Sequence, residues 1–525
     1  MTQAIDHVAL LPAYLAAGTA VLVLLTDLFV TRRGAVVTVA ALGAAITAVV
    51  SLRAAIAGFA AGPDPARVRG TFCAGLAALP GHQVPPDCSY VADPRAGVIA
   101  ALFALLTLGV LGLSTPLLKA GGIAVGEYCF LLTCSMTGGV VLAAAGDLIT
   151  LIVALETVTL PLYILVGLRR TVASAEAAVT FFVVSVVATT VTLLGAALLY
   201  ASTGAVHLGL LRTAGSLDQP LARVAIALVL VGLAFKVAAV PLHAWAPATY
   251  DGAPLPVAAY LSTASKLGGV VALIYVGVEA LPSGRTGPIL AVLAVLTMTV
   301  GNLVALRQTR MVRLLAWSSV AQAGYILAPL GAGAFAAGRT DDARTLAVSA
   351  AVAYTIFFVV LELAAFAAVI AWRPPSADGG RIADYRGSAR RSPWIGAAFV
   401  LALAGLAGLP PGLAGLFAKV AVVRSLLGGG AGWLAVVVAL NAVVGLAYYV
   451  RVAATCYAPA DEPHVPAGEP TAPGDAAAGS AGVAPSAVVR RPRVPWPVAG
   501  VLGVAVVVAV VIGFGPQLVL EAATR

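Results

Sequence analysis

The stretch FKVAAVPLHAWAPATYDGAPLPVAAYLSTASK, residues 235–266, decides how the fold is interpreted. Two lysines, Lys236 and Lys266, stand inside long apolar runs, and Pro241 follows the first of them by five residues. Each buried lysine costs about 2.5–3.5 kcal/mol on membrane-insertion scales. A proline inside a spanning helix also frees backbone carbonyls, which must then face protein or water. The stretch therefore predicts an interrupted membrane helix that carries a functional site.

The composition outside this stretch agrees with a membrane protein. Of the 525 residues 61% are hydrophobic and 10% are charged, and the mean hydropathy is +1.01. A soluble domain of this size needs far more charge on its surface. The net charge of +9 does not indicate nucleic-acid binding, because the arginines lie mostly at helix ends, where positive residues fix membrane orientation. The sequence lacks a CxxC pair, a metal-binding Cys/His cluster and the glycine motifs of nucleotide sites.

Apolar runs of spanning length predict an all-α integral membrane protein of about fourteen transmembrane helices. We expect two of these helices to be discontinuous, the second at AGLPPGLAGLFAK, residues 407–419. The predicted spans are 9–30, 36–58, 96–113, 126–146, 147–167, 176–200, 221–242, 253–278, 288–307, 313–332, 346–372, 394–424, 431–455 and 496–520.

Spans four to eight and nine to thirteen match as two five-helix halves. Lys236 and Lys419 then fall on the fourth helix of each half, and a repeat with an odd number of spans is necessarily inverted. The resulting division is three N-terminal helices with a long outer loop at 59–95 (1–122), two half-channel repeats (123–278 and 279–456), a disordered inner linker (457–495) and a C-terminal helix (496–525).

The arginines also predict the orientation. Fourteen spans place both termini on one side, and termini on the outer side put 17 basic residues at inner positions against 11 at outer ones. This arrangement follows the positive-inside rule. The loop 59–95 then lies in an oxidising place, where Cys73 and Cys88 are able to form a disulfide, with two free thiols as the alternative.

Titratable residues inside the spans predict proton movement. The chain has 27 arginines but only four lysines, and Lys236, Lys266 and Lys419 all fall in apolar spans. A desolvated lysine can release its proton, whereas arginine in practice cannot. Glu156 and Glu362 are also mid-span, where a carboxyl group belongs to a proton path. The alternatives are a structural ion pair and an anchor to a neighbouring subunit.

A possible relay group, His243, stands two residues past Pro241. Histidine titrates near neutral pH, so we expect it to pass protons. A satisfied structural histidine at a helix break is the alternative.

Three segments carry a family resemblance. Residues 235–266, VRLLAWSSVAQAGYIL at 312–327 and AGLAGLPPGLAGLFAK at 404–419 resemble the signature segments of subunit N of proton-pumping NADH:quinone oxidoreductase, more than its paralogues, subunits L and M. The resemblance implies that Glu156 on the fifth helix pairs with Lys236 on the seventh. It also implies that Lys266 is the central lysine on the eighth helix and Lys419 the group near the exit on the twelfth.

The resemblance implies a non-redox subunit of a translocase in the bacterial plasma membrane. This chain would hold no cofactor, and FMN, iron–sulfur clusters and quinone would belong to other subunits. Its neighbours would resemble subunit K and the antiporter-like subunit M. The alternatives are a subunit of a multisubunit cation/proton antiporter, which shares the buried lysines, and a non-transporting scaffold.

The chain departs from the family pattern at three positions. Thr180 stands where many relatives have lysine, and Gln322 replaces a common histidine. Glu362 stands where relatives often have a small or neutral residue. Because the row of Glu156, Lys236, Lys266 and Lys419 is complete, these departures do not predict loss of function.

Overall fold

The computed structural model describes residues 5–61, 68–73, 88–375, 377–459, 494–517 and 519–520. Helices dominate this part of the chain. In chain order they are α1 (Leu11–Phe29), α2 (Arg33–Ala61), α3 (Pro94–Ala120), α4 (Val125–Ala143), α5 (Leu148–Val166), α6 (Val172–Thr203), α7 (Leu208–Thr213), α8 (Pro220–Lys236), α9 (Trp245–Gly252), α10 (Leu255–Tyr260), α11 (Lys266–Ile274), α12 (Ser283–Ala305), α13 (Met311–Leu330), α14 (Asp341–Trp372), α15 (Ser388–Arg391), α16 (Pro393–Ala407), α17 (Leu413–Gly428), α18 (Gly432–Tyr457) and α19 (Trp496–Phe514).

Within the described residues, eleven helical spans are long and apolar enough to cross a membrane. They confirm the predicted class of polytopic helical membrane protein. Of the three remaining predicted spans, 313–332 coincides with α13 and 394–424 with the pair α16–α17, which a break separates. The span 221–242 covers α8 and the start of the break before α9. The inverted relation of the two halves and the division of the chain into five segments remain predictions.

The first break separates α8 from α9. Helix α8 ends at Lys236, and the next helix begins at Trp245. The indole Nε1 of Trp245 donates to the carbonyl of Phe235 at 3.1 Å, and the amide of Val240 donates to Thr297 Oγ1 at 3.0 Å. Side chains thus satisfy backbone groups that the interrupted helix leaves free, as burial in a membrane requires.

The second break separates α16 from α17 and depends on glycine. Gly408 ends α16 with φ +82°, a left-handed conformation that glycine adopts without steric cost. Gly412 and Gly415 then approach Gly405 so closely that an added Cβ would lie 2.1 and 1.6 Å from its backbone atoms. The returning chain therefore packs directly against the end of the helix it has left.

The eighth predicted span is one fully buried helical segment, Leu255–Ala280. It contains two π-helical stretches, Leu261–Ser265 and Tyr275–Ala280, on either side of α11. Lys266 is the first residue after the first π-helical stretch. Wide turns of this kind occur frequently at functional sites.

The long loop 59–95 contains a hairpin that the sequence analysis did not predict. Strands β1 (Arg69–Cys73) and β2 (Cys88–Ala92) pair antiparallel, and Cys73 forms a disulfide with Cys88. The disulfide prediction is confirmed. The amide of Val91 also donates to the carbonyl of Ala144 at 2.8 Å, so the hairpin is fixed to the turn between α4 and α5.

The predicted linker 457–495 lies almost wholly outside the described residues. Helix α18 ends at Tyr457 and α19 begins at Trp496. Helix α19 packs against α14, α17 and α3, so the last helix belongs to the same bundle.

Candidate functional site

Glu156 and Lys236 form an ion pair inside the helical bundle. Nζ of Lys236 lies 2.6 Å from Oε1 of Glu156, and the side chains are 6% and 19% exposed. Lys236 is the last residue of α8, where the free carbonyls of a helix end favour a cation. The contact expected between α5 and α8 is therefore present.

Hydroxyl groups surround this ion pair. Thr189 of α6 donates to Glu156 Oε1 at 2.5 Å, and Lys236 Nζ donates to Ser185 and Thr159 at 3.2 and 3.3 Å. Tyr163 donates to the same Ser185 hydroxyl at 2.6 Å. Both members of the pair thus keep polar partners, which buried charges need.

Lys266 has no carboxylate hydrogen-bonded to it in the described part of the chain. Its Nζ donates to the backbone oxygen and to the hydroxyl of Ser319 on α13, at 2.6 and 2.7 Å. The side chain is 2% exposed, and Nζ lies 5.8 Å from the ring centroid of Phe358. A backbone carbonyl, a hydroxyl and an aromatic face together hold this cation.

A glycine brings the segments of Lys236 and Lys266 together. Gly269, one turn beyond Lys266, lies so close to α8 that an added Cβ would be 2.9 Å from the backbone carbon of Lys236. Helix α11 therefore packs directly on the end of α8. The first two lysines of the row stand on contacting elements.

Lys419 binds the end of the helix that precedes the second break. Its Nζ donates to the carbonyls of Leu406 and Ala407, the last residues of α16. The ring of Tyr325 lies beneath it, with Nζ 5.1 Å from the ring centroid. The break thus creates the acceptors for this lysine, as the sequence of the segment suggested.

Gln322 lies on the same helix as the partner of Lys266 and shares a hydrogen-bond acceptor with Lys419. It lies on α13 three residues after Ser319, the partner of Lys266. Its Nε2 donates to the carbonyl of Leu406 and to the hydroxyl of Tyr449, and its Oε1 accepts from Tyr354. A side chain that cannot titrate therefore occupies the centre of a polar network between two lysines.

The two remaining candidates, His243 and Glu362, have different surroundings. His243 lies in the first break with its ring centroid 5.0 Å from that of Trp317, and its Nδ1 has no hydrogen-bond partner among the described residues. No hydrogen bond joins it to the three lysines in that part of the chain. Glu362 is fully buried on α14 and interacts electrostatically with Lys266. Glu362 therefore interacts with a lysine of the row, whereas His243 packs against Trp317.

Comparison with known proteins explains this arrangement. A family profile described as NADH:quinone oxidoreductase/Mrp antiporter, transmembrane, matches residues 145–445. A relative from Salinispora tropica named NADH-quinone oxidoreductase subunit N is 66% identical over the full length of both chains. The chain belongs to the subunit N family. A second member, from Streptomyces griseus, is 42% identical and covers 100% of this chain and 94% of its own length.

Solved structures share the subunit N fold. A chain of respiratory complex I from Thermus thermophilus matches with a TM-score of 0.74 and 29% identity, covering 97% of this chain and 98% of its own. A chain of an Mrp complex from Dietzia matches with a TM-score of 0.77 at 23% identity, covering 98% and 96%. At that identity the second likeness concerns the fold alone.

Several polar partners in this family member could not be predicted from the sequence. No sequence pattern distinguishes these partners, which are Ser319, Tyr354, Tyr449 and the carbonyl of Leu406. Serines and tyrosines occur in many spans, and a backbone carbonyl that accepts a side-chain hydrogen bond cannot be recognised from the sequence. Only the replacement of histidine by Gln322 indicated that this region was special.

Proposed function

We propose that the chain is a membrane-arm subunit of a proton-pumping NADH:quinone oxidoreductase and that protons pass along Glu156, Lys236, Lys266 and Lys419. The observation that carries the proposal is the pair of Glu156 and Lys236 in a row of buried lysines. The full-length relative named subunit N supports the assignment to this complex. Redox chemistry in other subunits supplies the energy.

The Glu156–Lys236 pair acts as the switch. Two unit charges attract by about 4 kcal/mol at about 4 Å and by about 2 kcal/mol at about 8 Å, for an effective dielectric near 20. When Glu156 moves away, the ammonium of Lys236 loses this attraction and releases its proton. Moving a proton against 100 mV needs about 2.3 kcal/mol. One pair is therefore comparable to the load, and several coupled pairs exceed it.

Lys266 and Lys419 receive the proton in turn. A neutral lysine amine accepts a proton on its lone pair and becomes an ammonium group. The ammonium of Lys266 then donates to Ser319, and the ammonium of Lys419 donates to the carbonyl of Leu406 at the end of α16. Gln322 holds Tyr354 and Tyr449 between these sites. Because an amide does not titrate, tyrosine hydroxyls or water must carry the proton past it.

The proposal includes the surroundings of the subunit. Its membrane is the bacterial plasma membrane, with both termini on the outer side according to the arginine distribution. Its neighbours in the membrane arm are a subunit K-like protein and a subunit M-like antiporter-like protein. FMN, iron–sulfur clusters and quinone are held by other subunits, and this chain contributes no redox group.

The competing function is that of a subunit in a multisubunit cation/proton antiporter. The Mrp-complex chain supports it only through the fold. Affinity purification of the tagged chain from its own membranes decides between the two. We expect flavin and iron–sulfur subunits to copurify, and NADH addition to acidify membrane vesicles. Sodium/proton exchange without NADH, from a preparation lacking flavin, would show that the proposal is wrong.

A further inference from the structure

The carboxyl groups of Glu362 and Glu156 differ in the hydrogen bonds that they accept. Oε1 of Glu156 accepts hydrogen bonds from Lys236 and Thr189. Glu362 lies mid-way along α14 with no exposure, and neither of its oxygens accepts a hydrogen bond from the described residues. An ionised carboxylate without donors is strongly disfavoured in such a place, whereas a protonated carboxyl group is tolerated.

Titratable and polar groups face Glu362 from several elements. Lys266 and Ser262 interact with it from the eighth span, and the hydroxyls of Tyr250 on α9 and Tyr449 on α18 lie within electrostatic range. The Tyr250 hydroxyl is itself buried without a hydrogen-bond partner in the described part of the chain. Glu362 therefore interacts with titratable or polar groups from the eighth span, α9 and α18.

The lysine at this site does not bind the carboxyl group directly. Lys266 Nζ donates to Ser319 on the neighbouring α13, although the carboxyl group of Glu362 on α14 is within electrostatic range. At the Glu156–Lys236 pair the same two groups meet at 2.6 Å. In the described part of the chain, Glu156 and Lys236 are therefore in direct contact, whereas no hydrogen bond joins Glu362 to Lys266.

We propose that Glu362 is a proton-holding residue that exchanges a proton with Lys266, in addition to the four-residue row. The O–H bond of the Glu362 carboxyl group breaks and an N–H bond forms on the neutral Lys266 amine, which leaves a carboxylate beside an ammonium. The reverse transfer restores two neutral groups. One proton moves, no electron does, and the net charge of the site is the same before and after.

This exchange gives the central site a second proton that an uncharged residue at 362 would not hold. A lysine alone alternates between one proton and none, whereas the pair alternates between two, one and none. A proton held on Glu362 stays inside the bundle while Lys266 keeps its hydrogen bonds to Ser319. The inference rests on the proposed function, because it assigns a role within the same proton path.

The test uses the purified whole complex and infrared difference spectra recorded on adding NADH. We expect a carbonyl band of a protonated carboxyl group that shifts in D₂O and is absent from Glu362→Gln. We also expect this variant to pump at least twofold fewer protons per NADH and to show an altered pH profile. Glu127→Gln, which changes an exposed acid at the start of α4, should keep both the band and the pumping.

The outcomes separate this inference from the proposed function. An unchanged band and unchanged pumping in Glu362→Gln, together with loss of pumping in Lys236→Ala, overturn only the role of Glu362. Normal pumping by Lys236→Ala overturns the proposed function itself. Where Glu362→Gln does not assemble, Glu362→Asp decides: a band at a shifted frequency supports the inference, and an unmoved band refutes it.

Discussion

Gln322 and Lys419 donate hydrogen bonds to one and the same oxygen, the backbone carbonyl of Leu406, at 3.0 and 3.3 Å. The carbonyl is free for both because α16 ends one residue later. The amide side chain and the ammonium group therefore share one acceptor, whose carbonyl oxygen has two lone pairs. Any movement of Lys419 away from α16 leaves Gln322 to satisfy this carbonyl.

Gln322→Leu should impair the subunit through this acceptor and through the tyrosines. The change leaves the hydroxyls of Tyr354 and Tyr449 without their partner, at a cost of about 1–3 kcal/mol for each buried group left unpaired. We expect weaker assembly on native gels and several-fold slower pumping in vesicles. Gln322→His retains one donor and one acceptor and should assemble and pump normally. Equal behaviour of the two variants would contradict a bridging role.

Lys236→Ala should abolish proton pumping or reduce it strongly, and Glu156→Gln should have a similar effect, because either change removes the switchable pair. Lys236→Arg should not restore full pumping, because guanidinium keeps the pair with Glu156 but does not release its proton. Vesicle acidification driven by NADH measures the effect, with assembly checked on native gels. Full pumping by the arginine variant would exclude a lysine relay, since an anchor would tolerate either cation.

Lys419→Gln separates hydrogen bonding from protonation at the second break. A glutamine amide can donate to the carbonyls of Leu406 and Ala407, yet it carries no exchangeable charge. We expect near-normal assembly with loss of most pumping. Lys119→Gln, which changes the only lysine outside the row, serves as the matched control and should pump normally. Pumping by the Lys419 variant at the wild-type rate would remove this residue from the proton path.

Asp378→Asn should destabilise the loop between α14 and α15 in a pH-dependent way. Arg310 donates to Asp378 at 2.8 Å and to Asp251 at 2.7 Å, and its guanidinium lowers the pKa of Asp378. A carboxyl group with a lowered pKa in the folded state stabilises it above the unfolded pKa, and this contribution disappears as the pH falls through the folded pKa.

The stability difference for Asp378→Asn should therefore be constant from pH 8 to about pH 5 and shrink below about pH 4. We expect about 1 kcal/mol, because the pair is about one-third exposed and screened by solvent. Thermal unfolding of the purified complex at several pH values measures the difference. Asp342→Asn, at an exposed position, is the control. A difference that grows on acidification would contradict the assigned pair.

Cys73→Ser should loosen the hairpin without removing the proton path. Closing a loop of about 15 residues stabilises a fold by about 3 kcal/mol in the chain-entropy model, and the two cysteines are 15 residues apart. We expect a lower unfolding temperature of the purified complex and nearly unchanged pumping at moderate temperature. In intact cells, Cys73 and Cys88 should react with a maleimide only after reduction. Labelling without reductant would show that the thiols are free.

Much of the fold and part of the site could be predicted from the sequence. Long apolar runs leave few alternatives in a membrane, and lysine in such runs is costly enough to mark Lys236, Lys266 and Lys419. The partner of Lys266 could not be predicted, because Ser319 is one of many serines and becomes special only where α13 meets the eighth span. The hairpin was missed because its strands are short and lie within a polar loop.

The hydrogen-bond acceptors of the lysines differ in charge: Lys236 binds a carboxyl group, whereas Lys419 binds neutral carbonyls. The net charge of a protonated site therefore differs between the two ends of the row. A protonated Lys236 beside ionised Glu156 is a neutral unit, whereas a protonated Lys419 held by two carbonyls is an uncompensated positive charge. Such a charge still acts with about 0.8 kcal/mol on a unit charge about 20 Å away at a dielectric near 20. A protonated Lys419 therefore presents a net positive charge to its surroundings, whereas a protonated Lys236 beside ionised Glu156 presents none. A charged group near the Lys419 end would experience each arriving proton as a change in electric field.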